Sequence, residues 1–147
     1  MGPGISERFS SRGAAFGDYN NNGNMDALVL NLNDVPSLLR NVGGNKQNWI
    51  KIKLVGTKCN RTAIGARVRV FTQKHVQMDE VHSGTSVMSQ SDLRLHFGLG
   101  KADVVDLIEV KWPTTQKIER FPKVKPNQIL TIREGEGIIN HYIPQST

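Results

Sequence analysis

The chain has 147 residues, a formal net charge of +6 and 37% hydrophobic residues. This length fits one domain, or one domain and a partial second, and it is sufficient to bury a core. The single cysteine, Cys59, excludes an internal disulfide, and no apolar run reaches the ~20 residues of a membrane-spanning helix. The basic balance indicates a solvated surface, or one that meets nucleic acid, anionic polysaccharide or phospholipid.

The N-terminal segment, residues 1–12, is polar and rich in turn-forming residues, which predicts a loose arm. Its first seven residues, Met1–Glu7, lack the charged start and the apolar stretch of a signal peptide. We therefore expect that an exported protein would contain this chain as a fragment, and a cytoplasmic location stays open at this point.

A short strand of small residues, Gly13–Gly17, leads into an asparagine-rich loop, and an apolar strand, Asp26–Leu32, leaves it. Oxygen-bearing side chains alternate along the loop, and Gly23 permits the sharp turn that closes it. Ca²⁺ takes six to eight oxygen ligands in flexible geometry, so the loop is a candidate calcium site. Its candidate ligands are Asp18, Asn20, Asn22, Asn24 (through its backbone carbonyl) and Asp26.

This loop is not an EF-hand, because its twelfth position is Val29 rather than glutamate. Only two carboxylates are present, which predicts weak binding and a structural rather than catalytic role for any bound cation. The alternative is a plain hairpin connection, since asparagine and glycine tolerate left-handed turn conformations.

Seven short segments after residue 46 alternate apolar and polar residues or form brief apolar runs, which predicts β-strands. In the first of them, Ile50, Ile52 and Leu54 share one face, and Lys51 and Lys53 the other. The segments are 49–55, 66–71, 75–81, 93–97, 104–112, 117–121 and 129–133.

The regular spacing of these strands predicts an all-β fold, an antiparallel β-sandwich or barrel-like domain of about seven strands. An N-terminal β-hairpin arm carries the asparagine-rich loop. Val42–Asn48 has the composition of a linker. We therefore divide the chain into residues 1–45, residues 46–134 and a tail, 135–147, that lacks periodicity.

Two parts of the sequence resemble known families. Arg12–Asp26 resembles the end of an FG-GAP repeat, the Ca²⁺-binding, VCBS-like blade unit of integrin-type β-propellers. A second set of segments resembles the ASPIC/UnbV domain, which follows such repeats in bacterial extracellular proteins and in the cartilage acidic protein family. These segments are Leu54–Val68, Ser83–Ser86, Ser89–Gly100 and Ile108–Pro113.

The resemblance implies an extracellular or cell-surface, non-enzymatic module whose calcium loop consists of the five residues named above. Two departures from the family pattern matter. The blade loop of the family is usually richer in aspartate, whereas Asn20, Asn22 and Asn24 stand here. A full propeller is absent from this chain, so a ligand site built between blades is not implied.

Three further clusters each have a functional and a structural interpretation. His82 precedes hydroxyl-bearing residues, but the G-x-S-x-G context of an exposed nucleophile is missing. Asp79, Glu80 and Asp92 suit glycoside hydrolysis only if two carboxylates are held about 5–9.5 Å apart, and are otherwise surface carboxylates. Arg61 is a candidate for binding a carboxylate or sulfate through its planar fork, or it braces a loop.

The large aromatic residues Trp49, Trp112 and Phe121 lie within apolar strand patterns. This placement predicts packing in the core or at a sheet edge, with sugar stacking by exposed rings as the alternative.

These observations favour a non-catalytic extracellular interaction module that binds protein or glycan, with Ca²⁺ as a structural cofactor. One alternative is a small hydrolase acting on carbohydrate or ester substrates, motivated by the carboxylates and His82. The other is a basic nucleic-acid-binding domain, against which the lack of aromatics interleaved with basic strands argues. An isolated propeller-like unit leaves strand edges open, so we expect a homo-oligomer.

Overall fold

A computed structural model describes residue 6 and residues 8–43, 47–73 and 75–144. Eleven β-strands account for the regular structure of these residues, which confirms the all-β class with more strands than the expected seven. Across the same residues, no helix is long and apolar enough to span a membrane. Contacts divide the chain into two compact units, the first comprising 1–45 and 83–92 and the second comprising 46–82 and 93–147.

The first unit is built on a three-stranded antiparallel sheet with the order β1–β2–β3. These strands are β1 (Ser11–Gly17), β2 (Asp26–Asn31) and β3 (Ser37–Leu39). The hairpin of β1 and β2 around the asparagine-rich loop is the predicted arm, with Gly17 opposite Asp26 at its end. A third strand begins directly after Pro36, where the missing N–H of proline does least harm to a sheet.

The segment 83–92 belongs to the first unit although it lies far from β1 in sequence. The backbone N–H of Asp92 donates to the Phe16 carbonyl at 2.8 Å, and the Phe16 N–H donates to Ser91 Oγ at 3.2 Å. The Ala14 N–H donates to Ser86 Oγ at 3.4 Å. Serine hydroxyls and one backbone amide therefore cover the outer edge of β1, an edge that the sequence predicts to be open.

The second unit contains two four-stranded sheets, with the orders β11–β10–β4–β7 and β6–β5–β8–β9. Their inward side chains form one apolar cluster, which includes Ile52, Val68, Ile108 and Leu130 at 0% exposure. The strands are β4 (Asn48–Val55), β5 (Arg67–Phe71), β6 (Val76–Glu80), β7 (Leu95–Gly100), β8 (Val105–Lys111), β9 (Ile118–Val124), β10 (Gln128–Arg133) and β11 (Gly137–Tyr142).

The alternating pattern of β5 explains why this strand forms one wall of the sandwich. Val68 and Val70 are fully buried, whereas Arg67 and Arg69 point outward. β5 and β6 form an antiparallel hairpin, with Phe71 opposite Val76. In the second sheet, Lys51 lies on the outward side of β4 and is nevertheless 0% exposed, so the alternation indicates its side of the sheet without indicating its exposure.

One strand pair departs from the expected antiparallel pattern. β10 runs parallel to β4, with Leu130 opposite Ile52. Parallel neighbours require a long crossover connection, and here the connection contains the whole of the other sheet, β5, β6, β8 and β9.

The prediction of a tail over residues 135–147 needs correction. Gly137–Tyr142 forms β11 and pairs antiparallel with β10 along its edge. The sequence pattern does not reveal this strand because it is an edge strand with mostly exposed residues, so no apolar alternation is required of it.

Candidate functional site

The asparagine-rich loop connects β1 to β2 and folds over its own side chains. Asn21 (φ 59°) and Gly23 (φ 90°) take left-handed conformations that curl the chain tightly. Asn22 Oδ1 accepts the Asn24 N–H at 2.9 Å, and Asn20 Oδ1 accepts the Asn22 N–H at 3.3 Å. Amide side chains thus hold the turn by bonding to backbone two residues further on.

Both loop carboxylates are buried, Asp18 at 1% and Asp26 at 3% exposure. Asp18 accepts the N–H of Asn22 at 3.0 Å and that of Gly23 at 2.8 Å. Asp26 accepts the Tyr19 N–H at 3.3 Å on one oxygen and the Asn41 N–H at 2.8 Å on the other. The two carboxylates therefore anchor both ends of the loop, and Asp26 also fastens the segment after β3.

The oxygen atoms of this loop are of the types that bind a hard cation. Its side chains offer carboxylate and amide oxygens, which Ca²⁺ prefers, and both carboxylates are buried away from bulk water. Among the described residues, no group of three or more His, Cys, Asp or Glu side chains is arranged to hold a metal ion. Asparagine oxygens would therefore have to complete the coordination, in keeping with the weak binding expected from the sequence.

Arg61 lies exposed in the turn that follows β4. Its backbone carbonyl accepts the Gly56 N–H at 3.1 Å and closes this turn. The neighbouring Asn60 side chain accepts the Ile64 N–H at 2.8 Å. The backbone of Arg61 thus has a structural role, and ligand binding by its guanidinium remains a prediction.

A carboxylate that the sequence analysis does not single out, Glu134, fastens this same turn to the end of β10. Glu134 is 5% exposed, and one of its oxygens accepts three consecutive backbone N–H groups, those of Thr57, Lys58 and Cys59, at 2.8–3.0 Å. Burial by itself would raise the pKa of this carboxyl, but the three N–H donors outweigh burial and lower the pKa to about 2. Its partners lie up to 77 residues away in sequence, so no local motif identifies it.

The outward side of the β6–β5–β8–β9 sheet carries a cluster of charged side chains, and we call it the basic face. Strand register sets Glu80, Arg67, Lys111 and Ile118 in one row and Met78, Arg69, Glu109 and Arg120 in the next. These two rows hold four cations and two carboxylates, which leaves an excess of two positive charges. Met78 and Ile118 add apolar surface that is 65% and 42% exposed.

Glu109 organises the second of these rows. Its carboxylate accepts a hydrogen bond from Arg120 Nε at 2.8 Å and another from Arg69. These two guanidiniums, Arg120 first, lower the pKa of Glu109 although burial opposes them. The Arg69 guanidinium also lies 5.4 Å above the Phe71 ring. The arginines are therefore held in position on the sheet.

The residues of the hydrolase hypothesis are divided between the two units. Asp79 and His82 are exposed residues of the second unit, and Asp79 accepts the N–H of Glu80 at 2.8 Å. Asp92 belongs to the first unit. The hydroxyls after His82 are engaged in the turn, where Thr85 Oγ1 and Ser91 Oγ lie 2.8 Å apart, which agrees with the structural interpretation of that segment.

The two tryptophans take different environments. Trp112 is 0% exposed and belongs to the core, as the apolar strand pattern predicts. Trp49 is partly buried and stacks on His96, with ring centroids 5.9 Å apart. Phe121 packs against the core from the neighbouring strand. None of these three rings presents an open stacking platform for a sugar.

Comparison with known proteins identifies a family through the C-terminal part of the chain. A search among curated proteins found no match. The model of the family described as ASPIC and UnbV matches residues 56–139, more than half of the chain. This stretch includes the Glu134 turn, both central strands of the basic face and the segment that covers β1, whereas the asparagine-rich loop lies outside it. The chain therefore belongs to the ASPIC and UnbV family.

Proposed function

We propose that this chain is a non-catalytic interaction module that binds a protein or a glycan outside the cell. The observation that carries the proposal is the basic face, where cations and apolar side chains stand together on a rigid sheet. Family membership supports a module of this kind, and the resemblance to proteins outside the cell supports the location. The proposal also treats Arg61 as a secondary contact.

Preorganised side chains support a role in binding. Arg69 and Arg120 share the Glu109 carboxylate, and Arg67 Nε bonds Glu80 at 2.6 Å. Side chains already held in one geometry lose less conformational entropy when a ligand arrives. The basic face therefore has the properties of a recognition surface rather than those of a mobile solvated one.

The second part of the proposal concerns the asparagine-rich loop. We infer that Ca²⁺ binds there through oxygens of Asp18, Asn20, Asn22 and Asp26 and the backbone carbonyl of Asn24. The ion would neutralise two buried carboxylates and hold β1 to β2. Its role is structural, and the first unit then corresponds to the end of an FG-GAP-like repeat.

The calcium proposal is tested by calorimetric unfolding of the whole chain in EDTA and in millimolar Ca²⁺. Binding to the folded state alone adds RT ln(1 + [Ca²⁺]/Kd), about 2.7 kcal/mol at 100 times Kd, which is a rise of several degrees in Tm. We expect this rise in the wild type and its loss in Asp18→Asn, which keeps the shape and one acceptor oxygen. Asp34→Asn is the matched control, because Asp34 is an exposed aspartate outside the loop.

Two results contradict the calcium proposal. One is a Tm that does not respond to Ca²⁺ at any concentration up to 10 mM. The other is an equal rise in the wild type and in Asp18→Asn. Either result leaves the loop as a hairpin turn held by its own amide side chains.

The binding proposal is tested by screening the whole chain against arrays of immobilised glycans and extracellular proteins, alongside hydrolase assays on ester and glycoside substrates. We expect saturable binding without turnover. Turnover that is lost in Asp79→Asn or His82→Gln, with folding unchanged, would instead establish the hydrolase alternative.

A further inference from the structure

Two cations stand directly opposite each other at the centre of the basic face. Arg67 on β5 pairs in register with Lys111 on β8. Directly opposed residues in an antiparallel pair have Cβ atoms about 4.5–5.5 Å apart, and like charges at such positions destabilise a sheet. Because the opposition of Arg67 and Lys111 costs stability in the folded chain, a negatively charged ligand that contacts both cations would relieve their repulsion.

The carboxylates of the basic face do not balance this pair. Glu80 binds Arg67 from the edge strand β6, and Arg67 lowers the pKa of Glu80 accordingly. Glu109 is engaged by Arg69 and Arg120 in the neighbouring row. Among the described residues, no ion pair joins the exposed Lys111 ammonium to a carboxylate. Lys111 is therefore the cation of this surface that is ready to meet an external anion.

Two shallow clefts open on this surface, and both are lined by Arg67 and Lys111. One has a volume of about 190 Å³ and continues toward Trp112 and Gln116. The other has a volume of about 180 Å³ and continues toward Met78 and Ile118. Each cleft is smaller than the roughly 300 Å³ of a pocket for a drug-sized ligand. Each therefore suits one monomer unit of a polymeric ligand, and Arg67 and Lys111 lie between the two units because they line both clefts.

The chemistry of the clefts favours a glycan among the polyanions. A peptide would gain most by adding a strand at a sheet edge, whereas these clefts lie on the face of the sheet, over its central strands. A single-stranded nucleic acid would gain affinity from aromatic platforms for its bases, and Phe71 is already covered by Arg69. Apolar faces of sugar rings can pack on Met78 and Ile118 while their acidic groups meet Arg67 and Lys111.

We propose that the basic face binds an anionic polysaccharide, one carrying sulfate or carboxylate groups, with Arg67 and Lys111 contacting the acidic groups. This inference rests on the proposed binding function and names its ligand class and its site.

The test measures binding of the whole chain to dextran sulfate, polygalacturonate and neutral dextran by calorimetry at ~0.1 M ionic strength, where surface charges are only partly screened. We expect binding to at least one anionic polymer and none to neutral dextran. Lys111→Gln should raise Kd about tenfold, as expected for loss of one charged hydrogen bond.

The matched control is Lys53→Gln. Lys53 is an exposed lysine on β4, in the other sheet of the same unit, so this substitution makes the same change in net charge away from the basic face. An equal loss of affinity in Lys53→Gln would overturn the site. Binding of polyglutamate or single-stranded DNA as tight as that of the anionic polysaccharides would overturn the ligand class, and absence of binding to both anionic polymers would overturn the inference.

The outcomes also separate this inference from the proposed function. If the array identifies a neutral glycan or a protein whose affinity is unchanged in Lys111→Gln, the proposed binding function is supported and anionic-polysaccharide binding at the basic face is contradicted. If the chain binds nothing on the array and neither anionic polymer, both the proposed function and this inference are contradicted.

Discussion

At the scale of single residues, Glu134 is the clearest case of a side chain whose chemistry is set by its surroundings. Its own burial disfavours the charged form, yet three consecutive backbone N–H groups point at one carboxylate oxygen. The donors prevail, and the pKa of Glu134 falls to about 2. The ionised side chain joins the end of β10 to the turn after β4.

The pKa of Glu134 predicts how stability depends on pH. Because its folded pKa lies below the unfolded value of about 4.3, its contribution is fully present above pH ~5 and is lost as pH falls through about 4 toward 2. Glu134→Gln should lose about 1–3 kcal/mol of unfolding free energy at neutral pH and show a flatter profile below pH 5. Urea unfolding from pH 3 to 7 measures both effects.

The control for this profile is Glu136→Gln. Glu136 is an exposed neighbour that pairs with Arg133 at 3.2 Å, and exposed pairs contribute little. A Glu136→Gln variant as sensitive as Glu134→Gln would show that the turn contacts of Glu134 are not responsible for the pH dependence.

Glu134 also affects the only cysteine. Burial raises the pKa of the Cys59 thiol to about 11, and the neighbouring Glu134 carboxylate adds to the rise. The thiolate is the reactive form, so we expect slow alkylation by iodoacetamide at pH 8 in the folded protein and fast alkylation in urea. Glu134→Gln should accelerate the native reaction, and a native rate equal to that of the unfolded chain would contradict this account.

At the scale of elements, the turn after β4 depends on a glycine for space. A Cβ placed at Gly56 would overlap the Asn60 carbonyl oxygen, much closer than van der Waals contact allows, and would lie 2.5 Å from Cys59 Sγ. Since the first of these is backbone, the turn must shift to accept any side chain. This close approach accounts for the glycine without any left-handed conformation.

Gly56→Ala is therefore expected to destabilise the protein by about 1–3 kcal/mol or more, the usual cost of overpacking. Gly98→Ala is the matched substitution, because Gly98 lies in β7 with nothing within 4 Å of an added Cβ. Gly98→Ala should be neutral, or stabilising by up to about 1 kcal/mol. Chemical unfolding of the two variants tests the contrast, and equal free energies would mean that the turn adapts freely.

At the scale of the whole molecule, the expectation of a homo-oligomer depends on which strand edges stay open. Segment 83–92 covers the outer edge of β1, so that edge is not available for pairing. The strands at the other sheet edges remain as candidates, namely β3, β6, β7, β9 and β11. We expect light scattering to show a dimer or larger species at high protein concentration. A monomer at all concentrations would contradict pairing through these edges.

The sequence by itself determined the strand alternation, the all-β class, the asparagine-rich loop and the family resemblance of the second half. These features are local, because period-2 hydrophobicity and turn residues act over a few positions. β5 shows this well, since Val68 and Val70 lie in the core as predicted and the arginines lie outside.

Only the tertiary structure decided which strands are neighbours and which charges meet. The parallel pairing of β4 with β10, the bonds of Glu134 to residues up to 77 positions away and the opposition of Arg67 to Lys111 all depend on crossovers between sheets. β11 is visible only there, because an exposed edge strand needs no apolar face. Long-range hydrogen bonds and burial are properties of the assembled sandwich, and a local pattern of residues does not encode them.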